Sequence, residues 1–263
     1  MNGIDLRMIN LDGKRAIVCD SSDGIGKATA LLLSDSGAEI LLIARNENKL
    51  TSVANNLNSS FGQTHLFLIA DFNNPLELQK KLYFIDPDSD ILVNNSVGPH
   101  GGALINAELN DFEKAFKGHL VCNQVLTQFV VPSMIKSNCG RIINIISTSV
   151  KQLIPNLGVS NKIRGAVAYW GRTLVIELVV NNITVNNILP GYTNTNRLKQ
   201  LAKDKALKND LNEIDIYNQW IMSVPLSRFG EPNEIANSIL FLCSELSSFI
   251  TGADIPVDGG RYG

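Results

Sequence analysis

The sequence predicts an α/β domain in three layers, a doubly wound parallel sheet with helices on both faces. Three observations carry this. Short β-branched and aliphatic runs alternate with longer amphipathic stretches along the whole chain. The short runs are continuously apolar, as strands buried on both faces are. A glycine-rich turn joins the first run to the first amphipathic stretch.

The elements follow in order. Arg15–Cys19 reads as a buried strand, and Gly24–Ser36 as a helix with Ile25, Ala28, Leu31 and Leu32 at helical spacing. Glu39–Ile43 is the next strand and Asn46–Leu57 the next helix. His65–Ala70 and Asp90–Val93 repeat the strand signal. Asp111–Met134 reads as one long helix, Arg141–Ile146 as a strand, and Ser160–Val180 as a second long helix. Strand Ile183–Leu189 ends at the breaker Pro190-Gly191. Glu231–Glu245 is a late helix and Ala253–Val257 a last strand. The polar stretch Thr193–Trp220 carries Leu198, Leu201, Leu207 and Leu211, which suggest short helices. It reads either as a lid over a site, spanning about 193–222, or as a plain surface excursion. No repeat or linker divides the chain, so residues 1–263 are expected to form one domain.

Composition narrows the function. With 263 residues, 44% of them hydrophobic, the chain can bury a sizeable core. A net charge of −2 and the lack of a basic stretch argue against nucleic acid and membrane surfaces as partners. The four cysteines form no CxxC pair, so no metal site is expected. Met1 to Arg15 has no apolar core of a signal peptide, and no apolar run has membrane-spanning length. A cytoplasmic location is expected.

The turn Asp20-Ser21-Ser22-Asp23-Gly24-Ile25-Gly26 opens the first helix. Glycines there let a backbone approach a pyrophosphate, and free helix N–H groups attract the anion. In its context it resembles the TGxxxGxG turn of the short-chain dehydrogenase/reductases, with Cys19 and Asp20 replacing the Thr and the first Gly. The resemblance runs nearly the full length. Asp71, followed by Phe72, stands after the third strand, where the family's Asp contacts adenine. Asn94-Asn95-Ser96-Val97-Gly98 resembles the NNAG segment. Ser147 ends the fifth strand at the place of the catalytic serine. Pro190-Gly191, with Thr193 and Thr195 beyond, resembles the PGxxxT turn beside nicotinamide and pyrophosphate. Ile250-Thr251-Gly252 and Val257-Asp258-Gly259-Gly260 match the C-terminal signature, nearest to the 3-oxoacyl-acyl-carrier-protein reductase branch.

The resemblance implies a Rossmann-type fold, a nicotinamide cofactor and a small carbonyl or alcohol substrate. It implies cofactor contacts from Asp20, Ser22, Gly24, Ile25, Gly26, Arg45, Asp71, Phe72, Asn94, Asn95, Arg164, Pro190, Gly191, Thr193 and Thr195. It also implies a homotetramer or homodimer through the two long helices and the C-terminal segment, where Phe129, Val130, Trp170 and Leu174 exceed the needs of one core face. Arg45, after the second strand, favours NADP over NAD, although Asp23 stands where NADP enzymes often carry a basic residue.

The catalytic pattern departs from the family's Asn–Ser–Tyr–Lys set. Thirteen residues after Ser147 the chain has Ser160 where the family has Tyr, and four further Arg164 where it has Lys. The Asn position falls on His119. Serine is a much weaker acid than tyrosine, whose reference pKa is about 10. Arginine holds a charge but does not release a proton as lysine does. His119 reads as a proton relay through Ser147, or as a helix histidine satisfied by backbone. His100 reads as a pocket residue or an exposed loop histidine. Tyr192 reads as a displaced general acid or a packing residue. Asp20 and Asp23 read as helix-terminal caps, or as carboxylates partly occupying the anion site. Two functions remain: an oxidoreductase with a non-standard proton donor, or an inactive relative kept for binding or assembly.

Overall fold

The computed structural model describes residues 9–262, so the leader reading at Met1–Arg15 lies largely outside them. Strand β1 is Arg15–Cys19, helix α1 Gly24–Asp35, β2 Glu39–Ala44 and α2 Glu47–Ala54. β3 is Leu66–Ile69. Helix α3, Pro75–Leu82, was not predicted by the hydrophobic period, since it spans only eight residues. Its start is nevertheless written locally: Asn74 accepts a bond from the Glu77 N–H, and Pro75 occupies the first turn. β4 is Ile91–Asn94.

The long helix expected at Asp111–Met134 is split. Helix α4, Leu109–Phe116, passes through a π-turn at Lys117–Val121 into α5, Cys122–Ser137. The extra residue of a π-turn shifts the helix face, so one uninterrupted period misses it. β5 is Gly140–Ile145, α6 Gly158–Leu178 and β6 Ile183–Pro190. α6 starts two residues before the predicted Ser160 and closes in a 3-10 turn at Val179–Asn181. The segment after β6 folds as two helices, α7 Asn196–Asn209 and α8 Glu213–Met222. α9 is Pro232–Cys243 and β7 Asp254–Val257.

All seven strands are parallel, in the order β3-β2-β1-β4-β5-β6-β7. The order reverses between β1 and β4, which opens a crevice at the strands' carboxyl ends. Alternation along β1 assigns its two faces. Ala16 and Val18 pack with Ala30 and Leu33 of α1, Leu50 of α2 and Ile239 of α9. Ile17 and Cys19 pack with Leu78 of α3, Leu126 and Val130 of α5 and Leu174 of α6. The described residues therefore form one three-layer Rossmann-type domain, as expected. Among them, no helix is long and apolar enough to cross a membrane.

Two of the four apolar residues expected to be surplus are core: Val130 is fully buried and Leu174 nearly so. Phe129 and Trp170 are half-buried against the same cluster. The exposed apolar residues here are instead Tyr169 and Ile176 of α6 and Val180 of the 3-10 turn that follows it.

Candidate active site

The turn after β1 brings its backbone close to α1. Asp20 adopts φ +46° and Gly24 φ +51°. A Cβ at Gly26 would run into the Asp20 carbonyl oxygen, so that glycine is required by packing within the turn. Asp23 is the N-cap of α1: its Oδ1 accepts from the Gly24 N–H at 2.8 Å. Its other oxygen accepts from Lys49 Nζ at 3.1 Å and Asn196 Nδ2 at 2.7 Å. Burial alone would raise the Asp23 carboxyl, but these bonds from Asn196, Gly24 and Lys49 outweigh it and hold its pKa below the usual value. Asp20 is not the cap. Burial pushes its carboxyl pKa up, and Asp23 adds to this while Arg45 and Lys49 oppose it.

Two contiguous cavities of about 590 and 600 Å³ lie along the carboxyl ends of the strands. They share Asp20, Arg45 and Ser96–Pro99. Asp71, Phe72, His100 and His119 border the first. Ser22, Gly24, Ile25, Asn95, Ser147, Ser160, Arg164, Pro190, Gly191, Tyr192, Thr193 and Thr195 border the second. The structure thus gathers most of the predicted site residues around one crevice. Thr195 caps α7 by accepting from the Leu198 N–H at 3.3 Å, and its Cγ2 lies 3.2 Å from where a Gly24 Cβ would sit. The second helix terminus is thereby pinned against the first.

Among the predicted cofactor contacts, Gly26 and Asn94 line neither cavity: Gly26 is packed against the Asp20 carbonyl, and Asn94 is buried with its side chain pointing into the sheet. Asn94 Nδ2 donates to Asn144 Oδ1 at 2.9 Å, Asn144 Nδ2 to Asn187 Oδ1 at 2.9 Å, and Asn187 Nδ2 to Asp254 Oδ1 at 2.7 Å. The four residues are register partners on β4, β5, β6 and β7, which is why one chain of bonds crosses four strands. Arg172 of α6 closes it on the other oxygen of Asp254. Gly171 of α6 lies directly against it: a Cβ there would be 3.0 Å from Asn144 Nδ2.

α6 carries the residues at the cavity's other wall. Ser160 and Arg164 are four apart and share one helix face. Arg164 Nη1 donates to the Ile145 carbonyl at 3.0 Å and Nη2 to the Ser96 carbonyl at 3.4 Å. The guanidinium therefore ties α6 to the ends of both β5 and β4. Burial lowers its pKa to about 10, with Arg197 adding to the effect, so it is still charged at neutral pH. Ser147 Oγ accepts from the Ser149 N–H at 3.1 Å, which leaves its own proton available to donate.

His119 does not meet Ser147. It sits on the π-turn and bonds through Nδ1 to Ser96 Oγ. Burial, together with the charge of Arg164, pushes its pKa well below the usual value, so the ring is neutral. The relay through Ser147 is therefore replaced by a buried pair with Ser96. Tyr192 packs as an aromatic residue, stacked on Trp220 at 4.9 Å with the Arg261 guanidinium 3.9 Å from its ring centre. Burial raises its phenol pKa, against the opposing charge of Arg261.

A family model described as enoyl-(acyl carrier protein) reductase matches residues 20–261. The chain belongs to the short-chain dehydrogenase/reductase family of NAD(P)-dependent oxidoreductases. The 3-oxoacyl-[acyl-carrier-protein] reductase of Aquifex aeolicus is 31% identical over 262 residues, covering 97% of this chain and 99% of that protein. The structure of L-sorbose reductase from Gluconobacter frateurii with NADPH and L-sorbose superposes with a TM-score of 0.89 at 28% identity, covering 97% and 98% of the two chains. A 7α-hydroxysteroid dehydrogenase complexed with NADH gives 0.84 at 28% identity, covering 97% and 96%.

Within this short-chain dehydrogenase/reductase framework, sequence reasoning missed Ser96 and Arg197 at the cavity and Asn144 and Asn187 in the amide chain beneath it. Asn144 and Asn187 were readable in principle, because an amide inside an apolar strand needs a partner. Ser96 gave no signal beyond its motif. Arg197 gave none either, since its place beside Gly98 arises from how α7 folds back over the strand ends.

Proposed function

We propose that this chain is an NADPH-dependent reductase of small carbonyl compounds, or a dehydrogenase of the corresponding alcohols. The observation that carries it is the crevice where the α1 N-terminus, Arg45 and the Ser147–Ser160–Arg164 wall converge. The fit for a dinucleotide is supported by space as well as chemistry: the Asp20–Gly26 turn leaves no room for a side chain at Gly26, and the exposed Arg45 stands at the rim near Asp20. NADPH bound there supplies the hydride. Gly24, Ile25 and Thr195 would hold its pyrophosphate, Arg45 its 2′-phosphate, and Asp71 and Phe72 its adenine.

The protein's own groups then have defined work. Ser147 and Ser160 present hydroxyls to the substrate oxygen. Arg164, fixed by two carbonyls, supplies a permanent positive charge beside them. A fixed cation and donors aimed at a developing alkoxide lower its energy without reorganisation. With serine at the family's tyrosine position and Tyr192 stacked on Trp220 under Arg261, the proton comes from solvent. Ser147→Ala should therefore cost more activity than Ser160→Ala. The segment at about 193–222 acts as the lid, a second copy of the chain covers α6, and the location is cytoplasmic. These readings extend to residues 1–263 as one domain.

Titration of the protein with NADPH and NADH, followed by cofactor fluorescence, tests the reading. NADPH should bind more tightly, and Arg45→Ala should narrow the gap. Absence of binding at millimolar cofactor would favour an inactive relative, a reading that the Ser160 and Arg164 positions keep open.

A further inference from the structure

Two guanidiniums meet at the crevice with no acid between them. Arg164 is buried on α6, and Arg197 is half-buried in the first turn of α7. A Cβ at Gly98 would lie 3.4 Å from Arg164 Nη2 and 3.9 Å from Arg197 Nη2, so both groups flank the same glycine. Among the described residues, neither is within ion-pair distance of a carboxylate. The carboxylate whose charge acts on Arg197 is Asp204, one that instead accepts from Gln200 at 2.8 Å. A guanidinium has five N–H donors. Arg164 uses two, on the carbonyls of Ile145 and Ser96, and Arg197 uses one, on the Pro99 carbonyl at 2.7 Å.

Like charges placed side by side in a partly desolvated wall repel unless an anion joins them. Both residues border the cavity that also holds Ser147 and Ser160. The α1 N-terminus borders the same cavity, and Asn196, next to Arg197, donates to its cap Asp23 at 2.7 Å, so a cofactor phosphate is the competing anion and an NADP⁺ titration separates the two. The planar fork of a guanidinium matches a carboxylate with two parallel bonds. We infer that Arg197, together with Arg164, is the recognition site for a carboxylate on the substrate, which is therefore an oxo acid or the matching hydroxy acid. This rests on the oxidoreductase reading and narrows its substrate class. In the reducing direction the carbonyl carbon takes the hydride of NADPH, and its oxygen takes a proton from water. The carboxylate stays unreacted on the arginines.

The test uses ligands that cannot react. The protein saturated with NADP⁺ is titrated by calorimetry with butanoate, butanamide and inorganic phosphate. Butanoate should bind roughly tenfold or more tightly than butanamide, and Arg197→Met should remove that preference. Arg197→Met should change NADP⁺ affinity by less than about twofold, while Arg197→Lys retains part of the butanoate binding. Equal binding of butanoate and butanamide would overturn the inference. So would a variant that loses NADP⁺ and keeps butanoate, because the arginines would then serve the cofactor. Tighter binding of phosphate than of butanoate would overturn the carboxylate assignment. The same titrations on the cofactor-free protein separate the two readings: an Arg197-dependent butanoate site without NADP⁺ binding supports the anion site and refutes only the oxidoreductase.

Discussion

The amide chain across the sheet makes a quantitative prediction. Asn144→Ala removes its centre. Asn94 Nδ2 and Asn187 Oδ1 then lose their partners while still buried. Asn94 Oδ1 has no partner even in the intact protein, so the whole Asn94 amide would be stranded. A buried polar group left unpaired costs about 1–3 kcal/mol, so two such groups predict a loss of roughly 2–6 kcal/mol. Most single substitutions cost less, about 0.5–3 kcal/mol. Equilibrium urea unfolding followed by circular dichroism measures it. The double variant Asn94→Ala/Asn144→Ala should lose less than the sum of the singles, because the first change removes a group that the second would strand. A loss below about 1 kcal/mol for Asn144→Ala, or strict additivity, would refute the reasoning. The chain also bears on the site, since α6 rests on it through Gly171 and carries Ser160 and Arg164.

Three more outcomes are expected. His119 is neutral in the fold with its pKa depressed, whereas the unfolded chain takes up a proton near pH 6.5. The unfolded state then binds more protons below that pH, so stability falls on acidification, by at most about 1.4 kcal/mol at pH 5.5 relative to pH 8. His119→Gln should flatten this part of a melting-temperature profile, and a profile of unchanged slope would count against a neutral buried ring. Asp20→Gly removes a desolvated carboxylate from a left-handed backbone position that suits glycine. It should raise apo stability by about 1 kcal/mol and tighten NADPH binding, with the gain in affinity shrinking in high salt; weaker binding would show that Asp20 does not oppose the cofactor. The exposed stripe Tyr169, Ile176 and Val180 should be covered by a second copy. Light scattering at micromolar protein should give a dimer or tetramer, and Ile176→Lys should lower the mass; a monomeric wild type would remove the case.

The layers, the strand sequence and the place of the crevice were legible in the residues themselves. Buried parallel strands must be continuously apolar, and a strand–glycine turn–helix unit states where an anion can approach, so RAIVC followed by Asp20–Gly26 locates the crevice. Ser147, Ser160 and Arg164 came from the family resemblance and its thirteen- and four-residue intervals, and helix geometry then puts Ser160 and Arg164 on one wall. What the residues did not state was which partner each polar group would find. Asn94 has the same chemistry on a cavity wall as inside a sheet, and only the register of β4 on β5 and β6 turned it toward Asn144. His119, on the π-turn, met Ser96 and not Ser147, a partner set by how that turn packs on the strand ends. Arg197 came beside Arg164 only when α7 folded over the strand ends. Local sequence sets periodicity and caps through neighbours a few residues away. Pairings between groups tens of residues apart depend on strand register, helix rotation and packing, which the chain acquires only as a whole.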